Sequence, residues 1–171
     1  MTERGSAAGP AVEQAVRDAV ESALSLGVTV ATAESLTAGL VAARLADVPG
    51  ASGTLRGGVV SYHNDVKRDL LGVSAELLAE RGSVDADVAR AMAAGARVAC
   101  GADLAVSTTG VAGPDAHDGK PVGTVYIGVA DASGSVAHAH HFVGGRPQIR
   151  EAAVRAAVVH LLSALRELPG K

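Results

Sequence analysis

The stretch Val28-Thr29-Val30-Ala31-Thr32-Ala33-Glu34-Ser35-Leu36-Thr37-Ala38-Gly39 passes from β-prone residues into a junction rich in hydroxyls and small residues. Val28 to Thr32 predicts a short buried strand. Beyond Glu34-Ser35 the apolar spacing predicts a helix over about 36–46, ended by Asp47-Val48-Pro49-Gly50. Strand and helix thus follow one another at once, and the chain keeps alternating on both sides.

Upstream, Val12, Ala15, Val16, Ala19, Val20, Ala23 and Leu24 form one face of a predicted helix over 11–26. Glu13, Arg17, Asp18 and Glu21 lie off that face, and Gly27 is its stop. Residues 1–10 read as a small, polar, poorly ordered tail. Downstream, Gly58 to Tyr62 predicts a strand, and Asn64 caps a helix over 65–71 that Gly72 stops. A short helix over 75–80 and a longer one from 85 to 100, capped by Asp85, come next. A strand over 103–109 runs into the loop 110–122. Strands over 123–130 and 136–143 flank the turn Asp131-Ala132-Ser133-Gly134 as an antiparallel hairpin. A last helix starts near Pro147, with Ile149, Ala153, Ala156, Ala157, Leu161, Ala164 and Leu168 on its apolar face. This order predicts an α/β fold: a mixed sheet, including an antiparallel hairpin, covered by helices. Residues 11–171 read as a single domain, a reading that the length of 171 residues supports.

Composition narrows the function. Apolar residues are 48% and aromatics 2%, so the core is built from Ala, Val and Leu. With only Tyr62, Tyr126 and Phe142 as aromatics, stacking platforms for single-stranded nucleic acid are missing. Fifteen basic against 18 acidic residues give a net charge of −3, which favours neither DNA nor an anionic membrane. The lone Cys100 excludes internal disulfides and cysteine-cluster zinc sites, and fits a reducing compartment. No uncharged apolar run reaches the ~18 residues of a spanning helix, and Met1 to Pro10 lacks a signal pattern. A cytoplasmic protein is expected.

Several common catalytic signatures are absent. Gly119-Lys120 is followed by Pro121, so there is no phosphate-binding Walker loop. Ser35 is not flanked by the glycines of a nucleophile elbow. Its placement between a strand end and a helix start nonetheless sets its hydroxyl near free N–H groups and a positive helix end. Those groups stabilise an alkoxide or oxyanion, although the same position suits a plain N-cap serine. Lys67, in the first turn of its predicted helix, is disfavoured as a cation. A lysine lowered by that field and by burial can act as general base to a serine. A solvent-exposed lysine beside a core Tyr62 is the alternative. Arg146 and Arg150 lie one turn apart at a helix start that follows Gly144-Gly145, suited to a phosphate or carboxylate; two solvated arginines fit equally. Thr109-Gly110-Val111-Ala112-Gly113-Pro114 leaves the end of a predicted central strand, where open α/β sheets bind ligands. His138 and His140 share a strand face but lack an evident third metal ligand, and His160 falls on a core-facing helix face. His63 and His117 lie in or beside loops.

Four segments together carry more information than any one. They are residues 33–39 (AESLTAG), 57–67 (GGVVSYHNDVK), 109–114 (TGVAGP) and 120–125 (KPVGTV). In this order and spacing, with Gly144-Gly145-Arg146-Pro147-Gln148-Ile149-Arg150, the chain resembles the CinA C-terminal domain family over about residues 11–168. Stand-alone members are nicotinamide-nucleotide amidohydrolases. The resemblance implies a three-layer α/β/α fold, no metal or organic cofactor, and hydrolysis of the carboxamide of nicotinamide mononucleotide. It implies Ser35, Tyr62 and Lys67 as the catalytic set. Thr37, Gly39, Gly58, Thr109, Gly110, Gly113, Arg146 and Arg150 are the expected substrate-binding positions. The implied partner is a small nucleotide, with neither nucleic acid nor membrane. A hairpin edge or an Ala-rich helix face could pair copies of the chain. A non-catalytic nucleotide-binding or protein-interaction module is the alternative, and an amidase for another small amide a third. The chain departs from the family pattern at Leu36, Ala38, Gly145 and the segment Asp115-Ala116-His117-Asp118-Gly119, which replaces a glycine-rich stretch.

Overall fold

The computed structural model describes residues 9–168. Most of the expected N-terminal tail lies outside them, and Pro10 already opens the first helix. The chain forms α1 (Pro10–Leu26), β1 (Val30–Glu34), α2 (Leu40–Ala46), β2 (Leu55–Val60), α3 (Asn64–Leu71), α4 (Ala75–Arg81) and α5 (Ala86–Ala99). It continues as β3 (Leu104–Gly110), β4 (Thr124–Ala130), β5 (Ser135–His141) and α6 (Arg146–Glu167). A single 3-10 turn, Ala51–Gly53, separates α2 from β2. Element order is the one expected from the sequence.

The strands form one sheet in the order β2-β1-β3-β4-β5. β1 pairs in parallel with β2 and β3, while β3–β4 and β4–β5 are antiparallel. Alternation along the strands decides which helices cover which face. Val30, Leu104, Val106, Val125 and Ile127 join Val16, Val20, Ile149, Leu161 and Leu165 of α1 and α6 in one core. Ala31, Ala33 and Ala105 face the other way, onto Val88, Met92 and Ala96 of α5. The small residues let α5 approach closely. A Cβ on Gly128 would lie 2.2 Å from the Ala89 carbonyl oxygen, and one on Gly95 2.0 Å from that of Leu71. Both glycines are therefore set by space. The result is a three-layer α/β/α fold around a mixed sheet.

Local caps set several helix ends. Gly27 and Gly72 take left-handed conformations and close α1 and α3. Asp85 caps α5 by accepting the Asp87 N–H at 2.8 Å. Several expectations shift. β1 runs from Val30 to Glu34 rather than from Val28 to Thr32, and β5 ends at His141. α2 begins at Leu40 rather than Leu36, because Ala38 (φ 51°) and Gly39 (φ 94°) are left-handed and hold residues 36–39 in a turn. His63, not Asn64, is the N-cap of α3, its Nδ1 accepting the Asp65 N–H at 3.4 Å. β2 starts at Leu55, ahead of the expected Gly58, and ends at Val60.

Candidate active site

The carboxyl ends of β1, β2 and β3 lie at one edge of the sheet, where open α/β folds bind ligands. Ser35 follows β1 there. Its N–H donates to the Thr108 carbonyl at 2.9 Å, and the neighbouring Glu34 carbonyl accepts the Ser61 N–H at 2.8 Å. Strands on both sides thus fix where the hydroxyl starts. The turn beyond it is organised by Glu34, which is 1% exposed. Its carboxylate accepts the Thr37 hydroxyl at 2.7 Å and the N–H groups of Gly39, Val41 and Ala42 at 2.9, 3.0 and 2.8 Å. It satisfies the N–H groups at the start of α2 that have no partner within the helix, and explains how a carboxylate is buried without a cation. Sequence reasoning passed over Glu34. Its signal was a carboxylate at a strand end just ahead of a helix, the place where negative charge suits the helix dipole.

Lys67 enters from α3. It is 1% exposed, and its Nζ donates to Ser35 Oγ at 3.2 Å, to the Ser61 carbonyl at 2.8 Å and to the Tyr62 carbonyl at 3.3 Å. Burial pulls its pKa down to about 8, while the charge of Asp118 acts against that shift. The expected serine–lysine pair is therefore within hydrogen-bond distance. Tyr62 meets Lys67 through its carbonyl; its side chain is 54% exposed and its hydroxyl accepts a hydrogen bond from Arg146.

An open cleft of about 320 Å³ lies over Ser35, within the size range of small-molecule sites. Residues 109–117 form one wall, so Thr109, Gly110 and Gly113 line it, with Ser83 at its base. Tyr62 and Arg146 form the rim. Arg146 also donates to the Gly113 carbonyl at 2.9 Å, bridging the start of α6 to that wall. The N-cap of α6, Gly145, contributes no side-chain cap.

Other expected positions support the cleft from outside. Thr37 is fully buried, its hydroxyl 2.7 Å from Thr108 Oγ1. Gly39 supplies an N–H to Glu34. A Cβ on Gly58 would lie 2.3 Å from Thr32 Oγ1, so that glycine serves the packing between β2 and β1. Arg150 donates to the carbonyls of Leu36 at 2.8 Å and Thr37 at 3.0 Å. A trans peptide sets its N–H opposite its carbonyl, so Arg150 turns the Thr37 N–H away from α6. Glu151, a conceivable partner for these arginines, lies 3.6 Å from Arg44 instead.

His138, His140 and His160 form a cluster away from the cleft, whereas His117 lines it. His138 stacks on His160 with ring centres 3.8 Å apart, and His140 Nε2 lies 2.9 Å from His160 Nε2. Burial, then the neighbouring imidazoles, pulls His160 down to about 4. Among the described residues no group of His, Cys, Asp or Glu is arranged to hold a metal ion. Nor is any described helix long and apolar enough to cross a membrane.

The same fold occurs in solved structures. The competence/damage inducible protein CihA from Agrobacterium tumefaciens superposes with a TM-score of 0.89 at 38% identity, over 95% of this chain and all of that one. A CinA superfamily protein from Klebsiella pneumoniae superposes with a TM-score of 0.88 at 29% identity, over 92% of this chain and 99% of that one. In sequence, a CinA-like protein of Mycolicibacterium gilvum is 54% identical over 142 residues, 82% of this chain and 33% of that protein. One of Frankia casuarinae is 50% identical over 141 residues, again 82% and 33%. The chain thus spans about a third of the length of these curated relatives. The CinA C-terminal domain matches residues 12–165, which include the Ser35–Lys67 pair, the 109–117 wall and both arginines. By this match the chain belongs to the CinA C-terminal domain family.

Proposed function

We propose that the cleft hydrolyses the carboxamide of nicotinamide mononucleotide to nicotinate mononucleotide and ammonia. The observation that carries this reading is the contact, 3.2 Å, between buried Lys67 Nζ and the Oγ of Ser35, a residue that lines an open cleft. A lysine brought to about 8 is a usable general base near neutral pH. Ser35 Oγ attacks the carboxamide carbon while neutral Lys67 takes its proton. The carbonyl π electrons move to oxygen, and backbone N–H groups of the Thr37 turn and the 109–113 wall stabilise that oxyanion. The oxyanion collapses, the C–N bond breaks, and Lys67 returns the proton to the departing ammonia. A water then attacks the acyl ester, again losing a proton to Lys67. The ester C–O bond breaks, and Ser35 regains its proton from the lysine.

The rim suits the rest of the substrate. Arg146 and the uncapped start of α6 offer a cation and N–H groups to a phosphate. The Tyr62 ring supplies a stacking face for a pyridine ring. The test is ammonia release from nicotinamide mononucleotide, compared with free nicotinamide and the intact dinucleotide. Ser35→Ala should lose at least about 10³-fold in kcat with its melting temperature unchanged. Near-normal turnover by that variant would remove Ser35 from the chemistry. Tight nucleotide binding without ammonia release by the native chain would make the cleft a binding site. Equal activity on all three compounds would point to a general amidase.

A further inference from the structure

The segment 115–119 ends in a built contact. Asp118 Oδ2 accepts the Ser83 N–H at 2.6 Å and the Ser83 hydroxyl at 2.8 Å. Ser83 lies between α4 and α5, and its carbonyl accepts the Thr109 hydroxyl at 2.6 Å. One residue therefore holds the cleft wall at both ends, by Thr109 where it leaves β3 and by Asp118 beyond its tip. The tip is itself closed by reciprocal backbone hydrogen bonds between His117 and Lys120, at 3.1 and 2.9 Å. The approach is specific in space. Asp118 takes the left-handed region (φ 50°), and a Cβ on Gly82 would lie 2.6 Å from its carboxylate. Gly82 is left-handed as well (φ 74°), so a side chain there is excluded twice.

We propose that Asp118 is a positioning residue of this site: its carboxylate clasps the 111–123 loop onto Ser83. The proposal rests on the serine–lysine reading above. Charged groups on the elements around the site have partners of their own. On α3, Asp65 and Asp69 pair with Arg68 in solvent. Glu34 is held by the N–H groups of the α2 turn, and Asp85 by that of Asp87. Arg146 is turned to Gly113 and Tyr62. His117 sits 3.4 Å from Asp118 itself. Burial opposes ionisation of Asp118, but hydrogen bonds from Ser83 and the charge of His117 hold its carboxyl below the usual range. It stays anionic through neutral pH and keeps Lys67 a stronger base than burial alone would leave it.

Asp118→Asn keeps the shape and removes the charge. The acid limb of ammonia release should move to lower pH by about half a unit, a roughly threefold relative gain at pH 7. The same shift should appear when Lys67 is titrated directly by 13C NMR of its Cε. Ser83→Ala keeps the charge and weakens the clasp. It should raise KM several-fold and speed hydrogen exchange over 111–123, leaving the acid limb in place. An unmoved Lys67 titration in Asp118→Asn overturns the influence of its charge on the lysine. Unchanged exchange over 111–123 in Ser83→Ala overturns the clasp, and that variant serves alone if Asp118→Asn does not fold. If the native chain releases no ammonia, the functional reading fails, while the NMR titration and exchange still decide the role of Asp118.

Discussion

The floor of the cleft and its rim are built on different principles. The floor, where Ser35 lines the cleft, rests on closed polar accounting behind it: Glu34, Thr37 and Lys67 are each no more than 1% exposed, and each is saturated by backbone or buried hydroxyl partners. The rim is made of exposed side chains, Tyr62 and Arg146, which hold one another and one carbonyl of the wall. A buried network resists any change because each member left unpaired costs its full desolvation penalty. An exposed pair costs little to rearrange. Chemistry belongs to the floor under this division, and substrate choice to the rim.

The largest expected effect tests the floor. Lys67→Met should cost at least about 10³-fold in kcat, since removing one member of a working pair disables both. The native pH profile of kcat/KM should rise with pH through about 8, where the amine loses its proton, and then level. The variant should lose that limb together with its rate. A native profile that is flat from pH 6 to 10 would detach the lysine from the reaction.

Glu34→Gln comes next and separates support from chemistry. Glu34 accepts from N–H and O–H donors alone, so an amide NH2 must face one of them. The expected loss is about 2 kcal/mol of stability, with a fall of roughly 4–8 °C in Tm for a chain of this size. Turnover should fall by about 10-fold as the Thr37 turn loosens. A variant with native Tm would show that the carboxylate is not what organises the turn.

The same division explains what was legible in the sequence. Element order followed from alternation and from caps such as Gly27, Gly72 and Asp85, because these are local rules. The Ser35–Lys67 pair was legible because both residues sit at element ends facing one sheet edge. The start of α2 was not, since nothing in Ala38 announces a left-handed conformation. Gly58 was expected at the substrate from the family resemblance, and the structure shows it packed where a Cβ would lie 2.3 Å from Thr32 Oγ1. Arg150 likewise looked like an anion site, yet its guanidinium is spent on the Leu36 and Thr37 carbonyls. Distinguishing a ligand from the protein's own backbone needs the third dimension.

Tyr62→Phe carries the smallest expected effect and tests the division most sharply. The family resemblance groups Tyr62 with the serine and lysine. The structure turns its hydroxyl outward to Arg146 and offers Lys67 its carbonyl, which substitution leaves intact. Removing the hydroxyl should therefore free Arg146 and raise KM about two- to five-fold, the loss of one exposed hydrogen bond, with kcat nearly native. The ring, its stacking face and the lysine contact all remain. A roughly 100-fold slower turnover at constant KM would mean that the hydroxyl swings inward once substrate displaces Arg146. The rim would then take part in proton transfer, and the boundary between floor and rim would have to be drawn outside Tyr62.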